Sequence, residues 1–242
     1  MNRLTFWMRF GSLFHRRKVA CAALLVAGIG GVLLAQQPSP TSTSASNPTI
    51  TFTLDFPESD PAHYSLAVDS SGHALYECTA KMQQDSEEQT YKAEFNLSTA
   101  NRDRIFDWAK QAKYFSGKID SGNRKLAFTG DKTLSYQDSQ RSFTARYNYS
   151  SLEPVRDLTT LFQNIAGTQD YGRRLAYYHR YQKLALDEEL KHMESQTRNN
   201  ELSEIQGVAP VLEEIIGDTT VINVVRGRAK AIIQMANAPA GH

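Results

Sequence analysis

The sequence predicts an α+β fold, in which an antiparallel sheet packed by helices is followed by an all-helical C-terminal subdomain. Between residues 49 and 168, short runs of alternating apolar and polar residues are separated by turns, which is typical of antiparallel strands. From residue 169 to 242 the apolar residues recur with helical spacing instead. We therefore expect an α+β domain over 49–168 and a helical subdomain over 169–242 that packs on it.

The first half of the predicted domain contains most of its strands. Apolar residues alternate around Phe52, Leu66 and Phe95, and Gly72 marks a turn before a return strand over 73–79. Ser98 or Thr99 is placed to cap a helix that runs to about residue 114. This half is therefore predicted to hold three or four strands and one helix.

The second half is predicted to hold about three strands and a further helix. Leu126 and Phe128 begin this group, and residues 132–138 and 141–149 have the pattern of a hairpin. Ser150 with Glu153 has the spacing of a capping box for the helix that follows.

The helical subdomain is organised around one stretch, Tyr171–Gln196. Leu186 lies on its apolar stripe, whereas Leu184 points nearly the opposite way, which predicts a helix buried on two faces as a wedge between layers. A short helix over 201–206, a helix from Pro210 to Gly217 and a last helix capped by Asp218 are expected to follow. Gly227 in that last helix either admits a close neighbour or has no structural role.

Residues 1–35 have the features of an export signal. A basic stretch without acidic residues precedes Val19–Leu34, a run of 16 residues that carries no charge. Two interpretations remain open: a signal peptide cleaved near Ala35, or an uncleaved anchor with its basic flank in the cytoplasm. A buried core helix fits the basic flank less well. Both favoured interpretations predict a periplasmic protein, or one anchored in the cytoplasmic membrane and facing outward.

Residues 36–48 predict a disordered linker. Nine of these thirteen residues are Ser, Thr or Pro, a composition that cannot bury a core. The linker is either a tether that holds the folded part away from a membrane or a disordered N-terminus of the mature protein, and in both cases we expect contact with a membrane only through the N-terminal segment.

The charge balance argues against a nucleic-acid partner. The formal charge is +1, but residues 1–35 hold five of the 27 basic residues and no acidic residue. The rest of the chain therefore carries 22 basic against 26 acidic residues, a net charge of −4. Proteins that bind nucleic acid usually present a basic stripe instead.

Two residue pairs have spacings that resemble catalytic or metal-binding sites. His73 and Cys78 are five apart on a predicted strand, so their side chains point to opposite faces and we expect Cys78 to be a buried apolar residue. Glu189 and His192 have the spacing of half a di-metal motif, but Glu188 with His192 is explained as a surface contact. We therefore predict no catalytic residue, no metal site and no cofactor.

A cluster of tyrosine and arginine residues is the one candidate partner surface. Tyr177, Tyr181, Arg173 and Arg180 lie within three helical turns, and these residue types are favoured at interface hot spots. The other interpretation, which we favour, is that the tyrosines pack under the sheet while the arginines pair with acidic residues such as Asp157.

Several stretches carry a resemblance to a known family. They include TFTLDFPESDPAHYSL, YFSGKIDSGNRKLAFTGDKTLSYQD, RYNYSSLEPVRDLTTLFQNI and GRRLAYYHRYQKLALDEELKHME. Together they resemble a family of uncharacterised exported acidobacterial proteins of unknown function. The resemblance implies an exported location and carries over no site residues.

These observations favour an exported protein without catalysis, a protein-binding or scaffold module whose partner is an unknown protein. The alternative is a periplasmic enzyme with a site assembled from residues distant in sequence. A deep pocket with converging His, Asp or Glu would favour the enzyme, whereas a flat apolar or aromatic patch would favour the binding module.

Overall fold

The structure is a computed structural model that describes residues 47–81, 87–123 and 125–238. The predicted export signal over 1–35 and the linker up to residue 46 lie outside the described residues. The last two linker residues are described, and there the backbone N–H of Ser70 donates to the carbonyl of Pro48 (2.8 Å). Within the described ranges, no helix combines the length and the apolar character that a membrane span requires.

Six strands form one antiparallel sheet, which confirms the predicted α+β fold. The strand order is β4-β3-β2-β1-β5-β6, and each neighbouring pair is antiparallel. The described strands are β1 Thr49–Asp55, β2 His63–Asp69, β3 His73–Ala80, β4 Gln89–Asn96, β5 Asp131–Gln137 and β6 Ser142–Tyr147. The apolar alternation that predicts the strands also sets their buried face, since Ile50, Phe52 and Leu54 of β1 all point inward.

The predicted β5–β6 hairpin is confirmed, and its turn is fixed by one carboxylate. The backbone N–H groups of Gln140 and Arg141 both donate to Asp138, at 2.8 and 2.7 Å. These hydrogen bonds, the one from Gln140 first, lower the pKa of Asp138 to about 2. The predicted strand around Leu126 and Phe128 is wrong: both residues lie in an exposed loop, because two alternating apolar residues are too few to hold an edge strand.

Five helices complete the described part. They are α1 Thr99–Gln111, α2 Glu153–Tyr181, α3 Leu186–Arg198, α4 Ala209–Gly217 and α5 Asn223–Asn237. Three 3₁₀ turns, Lys113–Phe115, Lys183–Ala185 and Ile205–Val208, lie between them. The C-terminal part is thus helical, as predicted.

Helix α1 is capped as predicted, and a distant residue completes the cap. The backbone N–H of Asn101 donates to Ser98 Oγ (3.3 Å). The Glu204 carboxylate accepts from the Ser98 N–H (3.0 Å), from Ser98 Oγ (2.7 Å) and from Asn101 Nδ2 (2.6 Å). A residue of the helical subdomain therefore satisfies donors at the start of a helix in the α+β domain.

Two predicted caps and one predicted helix are wrong. Helix α2 begins after Leu152, and Ser150 Oγ accepts from the N–H of Leu152 (3.2 Å) and donates to the carbonyl of Ile119 (2.6 Å), so it caps no N–H inside the helix. Helix α5 begins only at Asn223, since the Asp218 carboxylate accepts from the backbone N–H of Thr220 (2.8 Å) in a local turn. The helix expected over 201–206 is the 3₁₀ turn Ile205–Val208.

The predicted single helix Tyr171–Gln196 is also wrong. The chain leaves α2 at Gln182, where φ is −145° and ψ is 58°, and re-enters a helix at Leu186. Leu184, predicted to be buried on a second face, is 95% exposed. The break turns α3 away from the axis of α2, so that α3 packs on α5 and α2 without a second apolar layer above it.

Helix α2 serves both hydrophobic cores along its length rather than across its faces. Its first half packs on the sheet, where the rings of Phe162 and Phe52 stack with centroids 5.5 Å apart. Its second half enters the helical core through Leu175. The helix crosses the predicted boundary between residues 168 and 169 without a break.

Glycine allows close packing against the second half of α2. A Cβ atom added at Gly172 would lie 2.5 Å from Cγ1 of Val208, so a larger residue there would push the 3₁₀ turn away. Gly227 has nothing within 4 Å of its Cβ position in the described structure, which argues against a close neighbour at that residue.

Candidate functional site

The structure places three of the four predicted partner-surface residues together at the C-terminal end of α2. Tyr181 and Arg180 are exposed and Tyr177 is half-buried. Arg173, one helical turn earlier, is buried, and its guanidinium pairs with Asp170 (2.7 Å). The acidic groups near Arg173 are therefore Asp170 and, at 4.0 Å, Asp60 rather than Asp157, and Arg173 does not belong to the exposed surface.

We define the corner surface as Tyr177, Arg180, Tyr181 and Leu184, which lie where α2 ends. The rings of Tyr177 and Tyr181 have centroids 5.1 Å apart, and Cζ of Arg180 lies 5.3 Å from the centroid of the Tyr181 ring. Tyr181 is 62% exposed and Leu184 is 95% exposed. Two aromatic rings, one cation and one aliphatic side chain are thus presented to solvent together.

A polar cluster next to the corner surface fixes its backbone. Lys183 Nζ donates to Asp218 Oδ2 (2.6 Å) and to Thr220 Oγ1 (2.5 Å), and His179 Nε2 lies 2.9 Å from the same Asp218 oxygen. These hydrogen bonds, the one from Lys183 first, lower the pKa of the Asp218 carboxyl well below its usual range. The carboxylate is therefore ionised at neutral pH and joins the end of α2 to the α4–α5 loop.

The α4–α5 loop and the first turn of α5 add exposed apolar side chains beyond this cluster. Ile222 and Val224 follow Thr220 closely in sequence, and both are more than half exposed. Leu184 and Ile222 therefore lie on two segments that the Asp218 cluster ties together.

Ion pairs support α3, the helix that follows the corner. Arg174 of α2 pairs with Glu189 of α3 (2.6 Å). Arg228 of α5 pairs with Asp187 and Glu194 of α3, each at 3.0 Å. Helix α3, which follows Leu184 in the chain, is therefore anchored to both α2 and α5.

The other candidate residues lie where the sequence predicts. His73 and Cys78 point to opposite faces of β3; Cys78 is buried, and burial raises the pKa of its thiol. A raised pKa leaves the thiol protonated, which disfavours nucleophilic chemistry. The predicted surface contact between Glu188 and His192 is confirmed, with an N–O distance of 3.0 Å between exposed side chains.

Comparison of the chain with models of known protein families and with curated proteins finds no match. The resemblance to uncharacterised exported proteins therefore stays a prediction, and the geometry of the described residues carries the functional argument.

Sequence reasoning misses Leu184 as a surface residue. An apolar side chain opposite the main stripe of a helix is buried only if a second layer covers it, and the sequence does not show how the two predicted layers pack on this helix. The helix break beside it has no Gly or Pro to mark it.

Proposed function

We propose that this chain is an exported protein-binding module without catalysis, and that it holds its protein partner at the corner surface. The observation that carries the proposal is the 95% exposure of Leu184 on a turn held by the Asp218 cluster. Burying one leucine side chain at an interface contributes about 1.5–3 kcal/mol. Because Leu184 is already exposed, it would supply this contribution without any rearrangement of this protein.

The residue types of the corner surface support a protein partner. Tyrosine and arginine are enriched among the residues that dominate binding energy, and Arg180 stacks on Tyr181 in the free protein. A surface that is already ordered before binding loses less conformational entropy when the partner arrives. The partner is expected to offer an apolar pocket for Leu184 and acidic groups near Arg180.

The binding module is favoured over the alternative, a periplasmic enzyme. Three cavities of about 430, 420 and 400 Å³ lie among the described residues, and none of the three is lined by more than one His, Asp or Glu. The four residues of the corner surface are aromatic, aliphatic and cationic, and the Asp218 carboxylate beside them is already engaged by His179, Lys183 and Thr220.

Export is the second part of the proposal, and it is supported by the sequence of residues 1–48. A phosphatase reporter fused after Pro48 is expected to be active outside the cytoplasmic membrane. The same fusion without residues 1–35 is the control and is expected to be inactive. An inactive reporter in an intact full-length fusion would contradict export.

The binding role is tested by capture from the native envelope with matched variants. The wild-type chain is expected to retain a discrete protein that Leu184→Asp loses, because the variant places a charge where the partner is apolar. Leu126→Asp is the control, since Leu126 is an exposed leucine on a loop in the α+β domain. Equal capture by wild type and Leu184→Asp would refute the corner surface as the binding site.

A further inference from the structure

A second region, remote from the corner surface, has the features of a small-molecule site. The cavity of about 430 Å³ lies between the sheet, the β6–α2 connection and the first turns of α2. Two cationic side chains line it together with hydroxyl and amide groups: Lys132, Arg156, Ser150, Thr159, Thr160 and Gln163.

Lys132 places a buried positive charge beneath this cavity. Its side chain is on the inward face of β5 and only 4% exposed. Nζ donates to the carbonyl of Thr129 (3.0 Å), to Thr129 Oγ1 (2.9 Å) and to the carbonyl of Asn148 (3.1 Å). These acceptors are neutral, so no carboxylate of the described residues hydrogen-bonds to the ammonium. Burial lowers the pKa of Lys132, and the nearby Asp131 carboxylate offsets only part of this shift.

Arg156 supplies the second positive charge, from the first turns of α2. Its Nη1 donates to the carbonyl of Ser151 (2.8 Å), which uses one of the five N–H groups of a guanidinium. No ion pair of Arg156 occurs among the described residues, and the described lining holds no acidic residue. Two positive charges therefore converge on a space in which an anion would balance them.

The remaining lining combines the rings of Tyr147 and Tyr149 with hydroxyl and amide groups. The hydroxyl of Thr159 donates to the carbonyl of Val155 (2.6 Å), so it accepts from the Tyr147 hydroxyl (2.5 Å). Thr160 and Gln163 lie on the same helix and also face the cavity. The volume exceeds what one free oxyanion needs, and the hydroxyl and amide groups suit a ligand with hydroxyls of its own.

We propose that this cavity binds a small hydroxylated molecule that carries one oxyanion group, either a carboxylate or a phosphate monoester. Arg156 contacts the oxyanion directly, because its planar guanidinium can donate two parallel hydrogen bonds. Lys132 attracts the anion as a buried charge while its own hydrogen bonds hold the cavity floor. Thr160 and Gln163 bind the hydroxyl groups of the ligand.

The site is independent of the corner surface and accessible in a tethered protein. Thr160 and Tyr181 are 21 residues apart on α2, about 30 Å along the helix axis. Lys132 pairs with Leu54 near the end of β1, about 17 Å from Thr49, where the linker joins. A partner at the corner and a ligand in the cavity could therefore be bound together.

The test is calorimetric titration of the full chain in detergent with five probes. They are inorganic phosphate, acetate, glucose 6-phosphate, glucuronate and neutral glucose. We expect glucose 6-phosphate or glucuronate to bind at least about tenfold more tightly than glucose. The tighter of the two identifies the oxyanion as phosphate ester or carboxylate, and inorganic phosphate and acetate show what the oxyanion alone contributes.

Two variants test the assignment of residues. Arg156→Gln is expected to weaken the binding at least about tenfold, whereas Arg146→Gln, an exposed arginine on β6 outside the cavity, is expected to leave it unchanged. Amide chemical shifts of Thr160 in the wild type provide a readout that does not depend on how the variants fold. Glucose binding as tightly as both charged sugars, an unaffected Arg156→Gln variant, or ligand-induced shifts that spare Thr160 would each overturn the proposal.

Discussion

Replacing two leucines on either side of the α2–α3 turn should have opposite consequences. Leu186 is fully buried and packs in the helical core, whereas Leu184, two residues earlier, is 95% exposed. Leu186→Ala removes buried methyl groups and leaves a cavity, for which measured costs lie at about 2.7–5 kcal/mol. We expect a loss of about 3 kcal/mol for Leu186→Ala and a change within about 0.5 kcal/mol for Leu184→Ala.

Urea unfolding followed by circular dichroism measures both changes in free energy. In a folded part of this size, a loss of 1 kcal/mol lowers Tm by about 2–4 °C, so Leu186→Ala should melt about 6–12 °C below the wild type. Leu184→Ala should have the same Tm as the wild type but should no longer capture the partner. If Leu184→Ala were as destabilising as Leu186→Ala, Leu184 would be a core residue and the corner surface would not exist as described.

Three further predictions concern charged groups. Asp170→Ala should lower the free energy of unfolding by about 3 kcal/mol, because it leaves the buried Arg173 cation without its closest partner. The control Asp103→Ala removes a surface ion pair and should lower it by less than about 1 kcal/mol. Equal urea midpoints for the two variants would contradict this prediction. Glu204→Ala should speed amide hydrogen exchange in the first turn of α1 but not in β1, and unchanged exchange in α1 would show that the carboxylate adds nothing to its cap. The pKa of Asp138, about 2, lies below its value in the unfolded chain, so the contribution of its carboxylate to folding stability is complete above about pH 4 and is lost as the pH falls towards 2. In Asp138→Asn the urea midpoint should therefore fall less over that pH range than in the wild type. The same pH profile for both proteins would argue against this.

The strands follow from the sequence because their physical signal is local. One face of the sheet is buried, so every second residue of β1 and β2 is apolar. This two-residue period can be recognised in the sequence without knowledge of the fold. Although the Ser98 hydroxyl also contacts the distant Glu204, its N-cap bond is equally local, since its oxygen accepts from the N–H of Asn101 three residues later. These features need no knowledge of distant contacts.

The break between α2 and α3 does not follow from the sequence because its cause is tertiary. Residues around Gln182 have no Gly or Pro and could continue a helix. The contact of Lys183 with Asp218 and the burial of Leu186 in another core favour a turn instead. The exposure of Leu184 is a consequence of that turn, so the corner surface could not be predicted from helical periodicity.

The sequence contains one indication of the cationic cavity, and this indication can be interpreted in two ways. Leu134 and Tyr136 mark the inward phase of β5, and Lys132 falls on the same phase. A charged residue on an inward phase indicates either a buried polar contact or a site. The approach of Arg156 from another element is set by the fold, and the sequence alone does not show it.

Site-specific photo-crosslinking in intact cells tests most directly whether the corner surface binds a partner. A photoreactive phenylalanine analogue is placed at residue 184, and in a second strain at residue 126, where the native leucine is also exposed. We predict one discrete crosslinked protein with the probe at position 184 and none with the probe at position 126. We also predict that this crosslinked protein is lost when Arg180→Glu is combined with the probe at position 184. No crosslinked protein at position 184, or the same products at both positions, would contradict the proposal.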